Sequence, residues 1–247
     1  MSAGYEPGIS TAGEGPPLVL VPGMDGTGLL FYRQVPMLAR SYRVATYRLR
    51  DEAASMDLLL ADLAGVIGSV AGPGPAIVVG ESFGGAVALS LAVARPDLVA
   101  ALVIINSFPR FLPQLRLHLA ILALRALPWQ TMPMVRRLTA FRMHSKYTHR
   151  AELRRFMELT AGTTRHGYRN RLRILTQYDV REQLGRIRAP TLFLASERDH
   201  LVPSVEQARF MTARIPGSSL RVLSGHGHIC LIAPNIDLEQ ILRDWRP

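Results

Sequence analysis

The sequence predicts an α/β fold in which a mostly parallel, doubly wound sheet carries an inserted helical cap. Three observations predict it. Short continuous apolar runs, each closed by turn residues, recur along the chain as they do in strands buried on both faces. Helix-length segments separate these runs, and strand-to-helix alternation implies parallel pairing through right-handed crossovers. After Ile105 the alternation lapses, and only helical patterns follow until Thr191.

The first strand reads at Leu18 to Val21, stopped by Pro22 and Gly23. Further strands are expected at Arg43 to Tyr47, Ala76 to Val79, Ala101 to Ile105, Thr191 to Ala195 and Ser219 to Leu223. Helices are expected between and after them at Leu29 to Ala39, Met56 to Val70, Phe83 to Ala94, Val205 to Ile215 and Leu238 to Asp244. The opening residues, with Gly4, Gly8, Gly13, Gly15 and the pair Pro16-Pro17, read as a loose lead-in. Residues 1–106 and 185–247 are therefore expected to form the core, and residues 107–184 a helical cap. Candidate cap helices are Leu112 to Ala126, Met134 to Met143, Ala151 to Leu159 and Tyr168 to Gln177, punctuated by Pro128, Pro133 and the Ala161-Gly162-Thr163-Thr164 turn.

At 247 residues, 48% hydrophobic and 19% charged, the chain has enough apolar mass for one full-size domain, which argues against disorder. The single cysteine, Cys230, excludes an internal disulfide, and no CxxC or HExxH spacing suggests a metal, so no cofactor is expected. Met1 to Pro17 lacks a basic start and an apolar run, so a cytoplasmic location is expected. Leu115 to Leu127 is the longest apolar stretch of helical character. His118 and Arg125 interrupt it, and it is too short to cross a bilayer.

The net charge of +10 is distributed unevenly. Between Arg110 and Arg188, seventeen Arg or Lys residues face only Glu152, Glu158, Asp179 and Glu182, a local excess of +13. Such a surface is either an ordinary solvated face of an arginine-rich chain or a docking face for an acidic acyl carrier protein or an anionic membrane. Nucleic acid is not expected as a partner, because basic charge alone, without a recognisable motif, is the only sign of it.

Val78-Val79-Gly80-Glu81-Ser82-Phe83-Gly84-Gly85-Ala86 sets G-x-S-x-G between a strand and a small-residue helix. That context forces a strained backbone at the serine and lifts its hydroxyl to a helix N-terminus, which makes Ser82 the candidate nucleophile. A serine hydroxyl is almost wholly protonated near neutral pH, so it needs a histidine base, and that histidine needs an acid fixing its tautomer. Asp199 ends the polar turn after the Thr191 strand, at the carboxyl edge of the sheet where catalytic groups collect; Glu197 and Asp179 are its competitors. For the base, Ser224-Gly225-His226-Gly227-His228 offers His228, which leads into an apolar anchor, and His226 at the tip of the turn. The amide of Phe83, next after the serine, and that of Met24, in the Pro22-Gly23-Met24-Asp25-Gly26-Thr27-Gly28 loop, are the candidate oxyanion donors.

With these pieces in place, the chain from Leu18 through Trp245 resembles the α/β-hydrolase superfamily. The resemblance is carried by the Val21-Pro22-Gly23-Met24-Asp25-Gly26-Thr27-Gly28 loop, the Gly80-Glu81-Ser82-Phe83-Gly84-Gly85 elbow, the Ala189-Pro190-Thr191-Leu192 strand leading to Asp199 and Val202-Pro203, and Gly227-His228. It implies His228 as base over His226, and a sheet of six or seven strands. The loop and elbow are most similar to lipid- and acyl-thioester-handling members such as phytyl ester synthase-like proteins, and to capped carboxylesterases of the pimeloyl-carrier-protein methyl esterase type. Pro22-Gly23 stands where His-Gly is usual, and Arg48-Leu49-Arg50-Asp51-Glu52 replaces the usual Asp-x-Pro-Gly turn. The implied activity is hydrolysis of a small carboxylic ester through an acyl-enzyme. Acyl transfer, thioester cleavage and cofactor-free perhydrolysis use the same groups. Leu115, Leu119, Leu122, Leu124, Phe141 and Met143 are expected to line the acyl pocket.

Overall fold

The computed structural model describes residues 8–111, 118–122 and 128–245. Seven strands form one sheet: β1 (Ser10–Ala12), β2 (Pro17–Val21), β3 (Arg43–Thr46), β4 (Ala76–Glu81), β5 (Val99–Ile105), β6 (Thr191–Ser196) and β7 (Ser218–Leu223). Their spatial order is β1-β3-β2-β4-β5-β6-β7, and every neighbouring pair is parallel except β1 with β3. The sequence expectation of a mostly parallel sheet is met. β1 corrects the reading of the opening residues as a loose lead-in, since Ser10 to Ala12 pair with Val44 to Thr46. A three-residue polar strand has no apolar period to betray it; it forms because the edge of β3 offers unpaired backbone groups.

Successive residues of a strand point to opposite faces, and the core divides accordingly. Val19, Val21 and Val78 join the cluster on one face, and Leu18, Leu20 and Val79 the cluster on the other. The first cluster is covered by α2 (Met56–Ala71) and α3 (Phe83–Ala94). α2 begins where the Ser55 hydroxyl caps the Leu58 amide, and its buried stripe of Leu59, Leu63, Val66, Ile67 and Val70 follows the helical period. α3 is buried all round, which explains its small residues.

The helix expected at Leu29 to Ala39 is broken. A 3₁₀ turn at Leu29–Phe31 precedes α1 (Val35–Leu38), which opens with Pro36 near its start. The buried Gln34 between them donates to the carbonyls of Leu231 and Ile236 and accepts from the Leu238 amide, so a tertiary contact takes over from helix propensity.

Between β5 and β6 the described residues hold α4 (Met132–Met143), α5 (Arg150–Thr160) and α6 (Arg165–Gln177), with residues 118–122 also helical. Thr164 caps α6 by accepting from the Gly167 amide, which moves its start three residues ahead of the expected Tyr168. Leu172, Leu175, Tyr178 and Leu184 reach the main core, so the later part of this insertion is anchored to the sheet. α7 (Ser204–Thr212) and α8 (Leu238–Trp245) complete the fold. None of the described helices is long and apolar enough to cross a membrane.

Candidate active site

Ser82 sits between β4 and α3 at φ 55°, a left-handed conformation that a residue with a Cβ adopts only where its surroundings impose it. Those surroundings are tight. A Cβ on Gly84 would run into the carbonyls of Val21 and Pro22, so the helix meets the first parallel strand only because that residue is glycine. The Ser82 carbonyl is held by the Gly85 amide at 3.0 Å and by the Ser107 hydroxyl at 2.7 Å.

The turn places the Ser82 hydroxyl 2.9 Å from His228 Nε2, and His228 Nδ1 lies 2.6 Å from Asp199 Oδ2. A neutral imidazole protonated at Nδ1 donates there to Asp199 and accepts at Nε2 from Ser82. Asp199 also accepts from the amides of Leu201 and Val202 and from the Ser204 hydroxyl. Burial alone would raise the Asp199 pKa, but the charge and hydrogen bond of His228, with the Ser204 and Val202 donors, hold it below the ordinary carboxylate value. For His228 burial works downward, and the charge and hydrogen bond of Asp199 outweigh it, so its pKa stands above the ordinary imidazole value.

The competing residues lie elsewhere. Glu197 accepts from the Ser224 hydroxyl and the Gly225 amide and so shapes the histidine turn. Asp179 is engaged by Arg181 and Arg110. His226 is buried, within 2.9 Å of the Ser145 hydroxyl and tilted against the Tyr147 ring, and its pKa is lowered by burial and by Lys146. Its Nδ1 meets Ser145 and its Nε2 lies 3.3 Å from the Asn235 side chain, so neither ring nitrogen meets Ser82.

Several residues that carry no recognisable motif hold this geometry. Asn106, at φ 47°, donates to the His228 carbonyl and the Ser196 hydroxyl and accepts from the Ser196 amide, tying the ends of β5 and β6 to the histidine loop. The Ile229 amide donates to the Met143 carbonyl, and Gly227 lies so close to the Met143 and His144 carbonyls that no Cβ fits. Arg171, 1% exposed, crosses from α6 to donate to the carbonyls of Met24 and Asp25 and to Asp51. The Gly26 amide holds the Gly23 carbonyl at 3.0 Å. With the carbonyls on either side of Met24 so held, its own N–H is left without a protein acceptor among the described residues, as is that of Phe83. Gly23 lies beside Ser82.

A cavity of about 300 Å³ opens over Ser82 and His228. Its walls are largely apolar, with Leu30, Phe83, Phe108, Phe111, Phe156 and Ile229 among them. Of the expected lining residues, Met143 is there. Leu119 and Leu122 are not: they are 55% and 60% exposed, and their helical segment turns Ala120 to the cavity instead. Leu115 and Leu124, and the side chain of Phe141, lie outside the described residues.

Residues 16–233 match the α/β-hydrolase fold family. Among curated proteins, the pimeloyl-[acyl-carrier protein] methyl ester esterase of Xanthomonas campestris pv. campestris is 30% identical, the alignment covering 89% of this chain and 90% of the relative. The RutD protein of Serratia proteamaculans, named as a carbamate hydrolase, is 28% identical over 93% of this chain and 90% of its own length. Among solved structures, a thermophilic esterase from Thermogutta terrifontis superposes with a TM-score of 0.87 at 22% identity, covering 97% of this chain and 92% of that one.

Proposed function

The chain belongs to the α/β-hydrolase fold family, and from that premise we propose that it is a serine hydrolase of carboxylic esters, with Ser82 as nucleophile, His228 as general base and Asp199 as the orienting acid. The observation that carries this reading is the continuous hydrogen-bonded chain from Ser82 through His228 to Asp199, opening onto an apolar cavity.

In the proposed reaction His228 Nε2 takes the hydroxyl proton as Ser82 Oγ adds to the ester carbonyl. The amides of Met24 and Phe83 receive the developing oxyanion, and Asp199 stabilises the imidazolium without taking its proton. Collapse breaks the bond to the alkoxide, which leaves as the alcohol with the proton from His228. Water then adds to the acyl-enzyme with His228 again as base, releasing the acid and restoring Ser82. The helices between β5 and β6 act in this reading as a cap that defines the acyl pocket.

The test is hydrolysis of p-nitrophenyl esters of increasing acyl length by the wild type, Ser82→Ala, His228→Ala and His226→Ala. Loss with the first two substitutions and survival with the third is expected. Loss with His226→Ala alone would overturn the assignment of the base.

A second reading concerns delivery of the substrate. The basic excess between Arg110 and Arg188, with the resemblance to esterases acting on a carrier-linked ester, supports an acyl group presented by an acidic carrier protein. Rates on carrier-bound esters should then fall steeply with added salt while rates on free esters hold; salt-independent rates on both exclude it.

A further inference from the structure

Among the polar residues in the wall of the cavity, one buried carboxyl has no role in the proposed chemistry. Glu81, the residue before the nucleophile, is 7% exposed and lines the cavity, yet its carboxyl has no hydrogen-bond partner among the described residues. Buried polar groups are almost always paired, so an unpaired carboxyl facing a cavity marks a place for a ligand. A second acceptor stands near it. Asp25 also lines the cavity; its Oδ1 is taken by the amide and hydroxyl of Thr27, while Oδ2 accepts no hydrogen bond among the described residues and lies close to Gly23, itself beside Ser82; the carboxylate also feels the charge of the buried Arg171. Among the described residues no Arg or Lys lines this cavity, although the surrounding insertion is strongly basic.

We propose that Glu81 and Asp25 form an acceptor pair for a hydrogen-bond donor on the substrate, so that the enzyme selects esters bearing an ammonium or hydroxyl group a few atoms from the scissile carbonyl and rejects esters bearing a carboxylate there. The proposal rests on the reading of Ser82 as nucleophile and names the substrate class of that site. Burial, reinforced by the charges of Asp25 and Asp199 and opposed by that of His228, raises the Glu81 pKa to about 7. A cation beside it favours the ionised form and gains a charge-assisted hydrogen bond; that form repels a carboxylate. A plain alkyl chain leaves both acceptors without a partner from the substrate, and sites built to hydrogen-bond a substrate group discriminate against the analogue lacking it.

The experiment uses esters matched in size: methyl butanoate, methyl 3-hydroxybutanoate, methyl 3-aminobutanoate and monomethyl succinate, followed by proton release. For the wild type, kcat/KM on the ammonium and hydroxyl esters should exceed that on methyl butanoate roughly ten- to a hundredfold, and monomethyl succinate should be slowest. Glu81→Gln keeps an acceptor oxygen but not the charge, so the ammonium-to-alkyl ratio should fall at least tenfold while the hydroxyl-to-alkyl ratio is largely retained. In Glu81→Leu both ratios should approach one. A parallel readout independent of turnover is protection of Ser82 from a fluorophosphonate label by 3-aminopropylboronic acid against butylboronic acid, where the ammonium compound should protect at least tenfold better. Equal ratios across the wild-type series, or ratios that persist in Glu81→Leu, overturn the acceptor pair while leaving the hydrolase reading intact. Absence of both ester turnover and Ser82 labelling in the wild type overturns the nucleophile itself, and the acceptor pair with it.

Discussion

Replacing Arg171 by Met should weaken both stability and turnover, and the structure sets the size of each effect. Arg171 donates from Nε to the Met24 carbonyl at 2.9 Å, from one terminal nitrogen to the Asp25 carbonyl at 3.2 Å and from the other to Asp51 at 3.1 Å. Two of these acceptors keep other donors after the substitution. The Asp25 carbonyl retains the Thr163 hydroxyl at 3.1 Å, and Asp51 retains Arg48 at 3.0 Å and the Thr164 hydroxyl at 2.9 Å. The loss therefore falls at the low end of that for a broken buried ion pair, about 3 kcal/mol, or roughly 10 °C of melting temperature for a chain of this size. The effect on turnover has a different origin. The Met24 carbonyl loses its anchor, so the peptide beside the proposed oxyanion donor is free to rotate. Complete loss of such a donor costs about a hundred- to a thousandfold in kcat, and misaiming it should cost roughly tenfold or more, with KM moving less. Arg171→Lys should recover only part of either effect, because one ammonium cannot span three acceptors as a planar fork does. The assays are thermal denaturation and kcat on p-nitrophenyl butyrate, well below the melting range of every variant. A melting temperature and kcat both equal to wild type would refute the reasoning. A lowered melting temperature with unchanged kcat would reduce Arg171 to a fastener of the insertion.

Other predictions address the remaining parts of the site. Because Asp199 raises the His228 pKa and the base must be neutral, wild-type kcat/KM should rise with pH through a midpoint above the ordinary imidazole value of 6.5; Asp199→Asn should move that midpoint down and lower kcat by about four orders of magnitude. Glu81 ionises at about 7 in the folded chain against an ordinary 4.5, so the unfolded state releases its proton first and stability should fall as pH rises across that interval. The share of Glu81 in that loss is about 3 kcal/mol above the window, and Glu81→Gln should remove this share, leaving the fall due to the raised His228 pKa, when urea unfolding is compared at about pH 5 and about pH 8.5. Gly84→Ala should prevent the elbow from closing against the Val21 and Pro22 carbonyls, giving a poorly folded or inactive protein; an active, stable variant would contradict the close approach seen there.

What the sequence by itself determined is local. A strand buried on both faces is a run of apolar residues, and a strained turn needs glycines beside it, so β2, β4, β5, β6 and the position of Ser82 are written in contiguous residues. The turns carrying Asp199 and His228 were legible for the same reason, each following a strand whose carboxyl end must open onto the site. Both histidines follow the same strand; the apolar segment after His228 favours it over His226, and the family's register supports that choice. Only the tertiary structure decided that His226 turns to Ser145, that Leu119 and Leu122 face solvent, and that Ser10 to Ala12 join the sheet. It alone brings Arg171 to Met24 across 147 positions and Asn106 to His228 across 122. A polar side chain carries no mark of its partner in the residues around it; the partner is fixed by which surfaces meet when the insertion packs down. Apolar periodicity is an average over many equivalent contacts and survives in the sequence, whereas a single hydrogen bond is a coincidence of two distant positions that exists only once the chain has folded.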